Sequence, residues 1–146
     1  MRWSEIGAER CSVARTLSVI GERWTMLVLR EAFLGVRRFE DFQQRTGASR
    51  PVLADRLRHL TADEVLGRHR YAEKPDRYEY RLTAKGLDLY PVIVSLMSWG
   101  DRWMDDGSGP PLRLTHLDCA GPLSPTLACG TCGVPVTARD VRPTPA

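Results

Sequence analysis

Four donor side chains near the C-terminal end stand in two close pairs: His116-x2-Cys119 and, after nine residues, Cys129-x2-Cys132. Cysteine thiolates and a neutral imidazole bind zinc in tetrahedral sites, and a two-residue spacer lets each pair hold one edge of the tetrahedron. Gly130 and Gly133 allow the tight knuckle turn that this requires. One imidazole among the four donors favours zinc over an iron–sulfur cluster. Four protein ligands would leave no open coordination position, so such a site is structural rather than catalytic. Disulfides are the weaker reading, because the start, Met1-Arg-Trp-Ser-Glu-Ile, lacks the apolar run of a secretory signal. A redox thiol pair and an unmetalled extension stay open beside zinc.

The second chemistry is cationic. Residues 37–77 carry ten Arg/Lys and seven Asp/Glu, so the net charge of +3 is concentrated in the middle third of the 146 residues. Within this stretch, a helix expected over about 50–62 buries Leu53, Leu57 and Leu60, which step by four and three. With Leu53 inward, Pro51, Asp55 and Arg58 face outward, Arg50 sits at the N-terminal tip, and Ala54 and His59 flank them. Arginine can pair with guanine O6 and N7, aspartate can accept from cytosine N4, and alanine can touch a thymine methyl. The helix N-terminus, with Ser49 as its expected cap, offers N–H groups to a phosphate. Lys74 and Arg77 on an exposed turn, with Arg68 and Arg70 on the strand before it, would lie along phosphates and supply sequence-independent affinity. Arg37 and Arg38, just before the short helix, would form a second phosphate contact, with an ordinary charged loop as the other reading. The competing reading is a solvated amphipathic helix and a hairpin neutralised locally by Glu73 and Asp76.

The elements that must position these groups are mostly helical. Val13, Leu17, Ile20 and Trp24 step by four, three and four, with Gly21 dividing two helices, the second over about 22–34 and ended by Gly35. A short helix over about 39–46 carries Phe39 and Phe42, and the turn Thr46-Gly47-Ala48-Ser49 leads into the helix bearing Arg58. Two strands follow, Leu66 to about Ala72 and Tyr78 to Leu82, joined by Lys74-Pro75-Asp76-Arg77 with Pro second in the turn. Thr83 caps one long helix over about 84–104, kinked at Pro91. That helix has two apolar stripes: Leu89, Val92, Leu96, Trp99 and Trp103, and Leu87, Tyr90, Val94, Met97 and Met104. Two stripes need two partners, the domain's own body and a second copy of the chain, unless residues 105–146 fold over one of them.

The order helix, helix, short helix, tight turn, helix, hairpin, helix predicts a mainly α (α+β) winged helix-turn-helix with a two-stranded wing and a long C-terminal dimerisation helix. Residues 105–146 hold seven of the ten prolines and five of the twelve glycines. They form a Pro/Gly-rich, zinc-ribbon-like tail behind a domain of residues 1–104. No internal repeat stands out. No apolar run approaches the length of a membrane span, so a cytoplasmic protein without a membrane partner is expected. There is no Gly-rich phosphate loop, Gly-x-Ser-x-Gly or His-Glu-x-x-His, so an enzyme is not expected. A dimeric protein-interaction module using the tail, without sequence-specific DNA binding, is the alternative.

Several segments carry a resemblance. Cys11-Ser-Val-Ala, Val19-Ile-Gly-Glu-Arg-Trp-Thr, the run from Leu29 to Phe42, Leu53-Ala-Asp-Arg-Leu-Arg-His-Leu, Tyr78-Glu-Tyr-Arg-Leu-Thr-Ala-Lys-Gly and Trp99-Gly-Asp-Arg-Trp resemble the HxlR family of bacterial transcriptional regulators in order and spacing. The resemblance implies a homodimer joined through the first and last helices. It also implies binding of a two-fold symmetric double-stranded DNA operator that represses or activates neighbouring genes. Family members often carry a cysteine at the start of the first helix, and some sense oxidants or reactive aldehydes with it. Cys11 matches that position, where the positive end of the helix dipole favours a reactive thiol. Ser12 stands where many members have proline. A small buried hydrophobe at a dimer seam is the other reading of Cys11.

Overall fold

The computed structural model describes residues 3–144 and divides into two compact units, residues 1–93 and 94–146. In the N-terminal unit a 3-10 turn, Trp3–Ala8, precedes α1 (Ser12–Ile20), α2 (Arg23–Phe33), α3 (Phe39–Thr46) and α4 (Arg50–Ala62). Strands β1 (Leu66–Glu73) and β2 (Asp76–Leu82) form an antiparallel hairpin, followed by α5 (Ala84–Leu87) and α6 (Tyr90–Trp103). The winged helix-turn-helix order is therefore present. The 3-10 turn was not anticipated from the apolar spacing.

Local rules account for the helix limits. Gly35 and Gly47 adopt φ of +87° and +72° after α2 and α3, a region that costs glycine little, and so stop both helices. Pro51 lies in the first turn of α4, where its missing N–H is not needed. Ser49 occupies the N-cap of α4, but its hydroxyl makes no capping bond among the described residues; its carbonyl accepts from Leu53 N–H at 2.9 Å. The core between these helices holds Val28, Leu29, Phe42, Leu53, Leu57, Leu60, Val65 and Leu66, all essentially removed from water. One carboxylate is buried among them. Glu31 accepts from Arg30 Nε at 2.8 Å and from Arg45 Nη1 at 3.5 Å, tying α2 to the end of α3.

Two expectations are corrected. The hairpin turn is Lys74-Pro75 alone, because pairing continues to Glu73 and Asp76. Tyr71 is an extra residue between the pairs Arg70–Tyr78 and Ala72–Arg77, and this bulge resets the register so that Asp76 and Arg77 join β2. The single helix over 84–104 is two. Pro91 has no N–H for the Leu87 carbonyl and sits in the first turn of α6, while Leu89 N–H turns back to Gly86 O at 3.1 Å. Thr83 caps α5 as expected, its hydroxyl oxygen accepting from Gly86 N–H at 3.1 Å. Gly86 is required by proximity: a Cβ there would stand 2.2 Å from the Val65 carbonyl oxygen.

The C-terminal unit takes in most of α6, whereas the composition shift near Asp105 marks only where helix gives way to Pro/Gly-rich chain. Leu112, Leu114, Pro122 and Leu123 face Val94 and Met97 across a cleft of about 650 Å³. The tail thus lies against one apolar stripe of α6. Leu96, Trp99 and Trp103 of the other stripe stay 53%, 60% and 63% exposed.

The tail contains a repeat hidden at the level of residue identity. In the first hairpin, Leu123 N–H donates to Leu114 O, His116 N–H to Gly121 O and Ala120 N–H to His116 O, and Thr115 bridges Pro122. In the second, Val136 N–H donates to Leu127 O, Cys129 N–H to Val134 O and Gly133 N–H to Cys129 O, and Ala128 bridges Pro135. Each partner in the second set follows its counterpart by the same interval. Ala120 and Gly133 take matching left-handed conformations, φ +55° and +72°.

Candidate nucleic-acid interface

The start of α3, Arg50 at the first turn of α4, and the wing line a groove of about 610 Å³. Its cations are Arg38, Arg50, Arg68 and Arg77, its carboxylates Glu40, Asp41 and Asp76 (the last paired with Arg70), and its aromatic lining includes Phe39, Tyr71, Tyr78 and Tyr80. Three guanidinium groups are stacked: Arg38 over Tyr71 at 5.0 Å, Arg50 over Phe39 at 4.7 Å and Arg68 over Tyr78 at 3.6 Å. Stacking holds the guanidinium plane while leaving N–H groups at its edge to donate to an anion. Arg50 also donates to Gln43 Oε1 at 3.4 Å.

Backbone pairing brings these groups together. Arg38 bridges Glu79, and Tyr80 N–H donates to Arg37 O at 2.7 Å, so the segment before α3 lies along the free edge of β2. The bulge at Tyr71 supplies the ring on which Arg38 stacks. Phe42 and Tyr80 meet edge to face at 6.5 Å and seat the wing on α3.

The structure brings Arg38, Arg50 and Arg77 of the expected residues to one groove. Arg37 is exposed beside it, and Lys74 stands at the wing tip with no ion-pair partner among the described residues. Pro51, Ala54 and Arg58 are exposed on α4. The sequence marks Arg68 only as wing charge and gives no functional signal for Tyr71 or Tyr78; Tyr71 becomes legible only through the bulge.

Asp55 is not a free acceptor. Arg58 Nη2 donates to it at 2.5 Å, Arg56 also donates to it, and His59 Nδ1 lies 3.3 Å from its second oxygen. Desolvation raises its pKa, but the Arg58 and Arg56 hydrogen bonds and the neighbouring charges outweigh that and hold the carboxyl below its ordinary range. Any further partner of Arg58 would have to replace or share this carboxylate.

Cys11 is exposed at the N-cap of α1, where its carbonyl accepts from Arg15 N–H at 3.0 Å. In the tail, His116 Nδ1 lies 3.3 Å from Cys119 Sγ. Backbone N–H groups of Cys132 and Thr131 point at Cys129 sulfur and hold that thiol below its usual pKa. Among the described residues, no three His, Cys, Asp or Glu side chains stand close enough together to share a metal ion. No helix of the described residues is long and apolar enough to cross a membrane.

Comparison with known proteins agrees with this architecture. The family model of the HxlR-like helix-turn-helix matches residues 19–108. The helix-turn-helix-type transcriptional regulator Rv3095 of Mycobacterium tuberculosis, itself uncharacterised, is 48% identical over 134 residues, 92% of this chain and 85% of its own. The crystal structure of PA1607, a candidate transcription factor, aligns with a TM-score of 0.85 and 37% identity over 94% of this chain and 96% of its own. Coverage that wide includes most of the tail. The oxidised form of the redox regulator HypR aligns with a TM-score of 0.61 and 32% identity over 65% of this chain and 99% of its own. With its helix-turn-helix, paired wing and matching residues 19–108, the chain belongs to the HxlR-like helix-turn-helix family of DNA-binding transcriptional regulators.

Proposed function

We propose that this regulator binds a two-fold symmetric operator as a homodimer, placing α4 in the major groove and the wing along the flanking phosphates. The observation that carries this reading is the groove in which four arginines outnumber three carboxylates, running from Arg50 at the start of α4 to the wing. Arg38, Arg50, Arg68 and Arg77 neutralise phosphates, with Arg37 and Lys74 extending the track at its ends. Ser49 and the first N–H groups of α4 add a neutral phosphate contact. Pro51, Ala54 and Arg58 meet base edges, and Asp55 orients Arg58. The second copy docks through Leu96, Trp99 and Trp103, because two-fold half-sites require two matched recognition helices. This reading gives the chain no catalytic step and places it with chromosomal DNA in the cytoplasm.

Selection of bound fragments from the source genome, followed by competition against scrambled duplex, tests the proposal. A selected palindrome bound at least about 10³-fold tighter than scrambled DNA supports it. Equal affinity for both would leave only the interaction-module reading.

Cys11 is the point at which regulation enters. It is exposed at a helix start, and a redox regulator is among the structures this chain is similar to. Peroxide converts such a thiol to a sulfenic acid, releasing water. Operator affinity of the wild type should change with oxidant, while Cys11→Ser binds equally with and without it. A wild-type response identical to that of Cys11→Ser makes Cys11 structural.

A further inference from the structure

The two tail hairpins are built alike, and their donors occupy equivalent places. His116 in the first and Cys129 in the second use their own N–H and C=O to close the turn. Cys119 and Cys132 each stand immediately before the left-handed residue, Ala120 or Gly133. The shift that superposes the hydrogen bonds therefore superposes His116 on Cys129 and Cys119 on Cys132. A hairpin needs neither imidazole nor thiol at these places for its own backbone bonds. Repetition of soft donors at both positions of both turns is the pattern of a ligand set rather than of packing. Cys119 and Cys132 are exposed and Cys129 is half-buried, so none is a core residue.

We propose that the paired hairpins form one zinc site, with His116 and Cys119 from the first and Cys129 and Cys132 from the second. Three thiols lose their protons to solvent as the ion binds, and the imidazole binds neutral, so the filled site carries a net charge of −1. Within the first pair the donors already stand 3.3 Å apart, close to the edge of a tetrahedron. Because the four donors do not lie together, binding must turn one hairpin toward the other about residues 124–126. The ion thus links two turns that are otherwise joined by three residues, and it orders the tail as it binds.

Titration of the reduced, full-length protein with Co²⁺ as a spectroscopic stand-in tests this, with Zn²⁺ as competitor. The expected result is one ion per chain, a thiolate-to-metal charge-transfer band, intense visible bands of a tetrahedral centre, and displacement by one equivalent of Zn²⁺. Cys119→Ala and Cys129→Ala, one change in each hairpin, should each weaken binding more than about 100-fold, beyond the effect of losing an outer partner. Duplex binding by these variants reports that the N-terminal unit remains folded. The proposal is overturned if no charge-transfer band develops, if each chain takes two ions, or if either variant binds as tightly as the wild type.

Discussion

Removing one guanidinium from the arginine groove has a calculable effect on salt dependence. Four cations line the groove in each protomer. Each phosphate neutralised adds about 0.9 to the slope of log affinity against log salt, so the four groove arginines of both protomers alone contribute about −7, before Arg37 and Lys74 are counted. Raising salt from 50 to 200 mM should then weaken wild-type binding by at least about 10⁴-fold. Arg77→Ala removes one contact per protomer and two per dimer, which flattens the slope by about 1.8. The variant should lose about 12-fold less affinity than the wild type over the same salt range. Arg77 is the suitable position because it is exposed and, unlike Arg38, Arg50 and Arg68, stacks on no ring. Fluorescence anisotropy with a mixed-sequence duplex measures both slopes, with Arg139→Ala as an exposed control outside the groove. If Arg77→Ala and Arg139→Ala leave the same slope as the wild type, the groove does not track phosphates and the placement of the wing is wrong.

Asp55→Asn should release Arg58 and alter preference at one operator base pair by about 1–3 kcal/mol, read by binding to single-base operator variants. The depressed Asp55 pKa implies stability that is full above the unfolded carboxyl value and lost as pH falls through the folded one. Its side chain is 37% exposed, so screening keeps the contribution below about 1 kcal/mol. Urea titrations at pH 6 and pH 3 should therefore show a slightly smaller acid loss in Asp55→Asn than in the wild type. Gly86→Ala drives a Cβ to 2.2 Å from the Val65 carbonyl and should cost about 1–3 kcal/mol despite the better helix propensity of alanine, lowering Tm by several degrees in a thermal melt. An unchanged melt would show that α5 can move freely away from Val65. Trp99→Lys should leave the protomer folded, because the ring is 60% exposed, yet give a monomer by sedimentation at micromolar concentration. A dimer persisting in that variant would place the seam elsewhere.

Much of the DNA-binding fold follows from short-range chemistry. The limits of α3 and α4 are legible because Gly47 takes a left-handed turn, Pro51 suits a first helical turn, and Leu53, Leu57 and Leu60 repeat at helical spacing. Each signal acts within a few residues, where backbone sterics and one buried face decide the outcome. Most of β2 was legible through the alternation of Tyr78, Tyr80 and Leu82 with Glu79 and Arg81.

Contacts between distant residues were not legible. Only folding lays Arg38 along Glu79, bulges Tyr71 beneath Arg38 and gathers four arginines at one groove. Only the packed helix shows that Asp55 is held by Arg58 and Arg56 rather than left to a base. The tail repeat was concealed because His116 replaces a cysteine and Ala120 replaces a glycine, so residue identities diverge while the hydrogen bonds coincide. The sequence by itself determined α1 to α4, the wing hairpin and the donor pairs, since these depend on neighbouring dihedrals and side-chain period. Tertiary structure alone decided which charges converge and which apolar stripe stays open, because both depend on backbone pairing and packing across long stretches of chain.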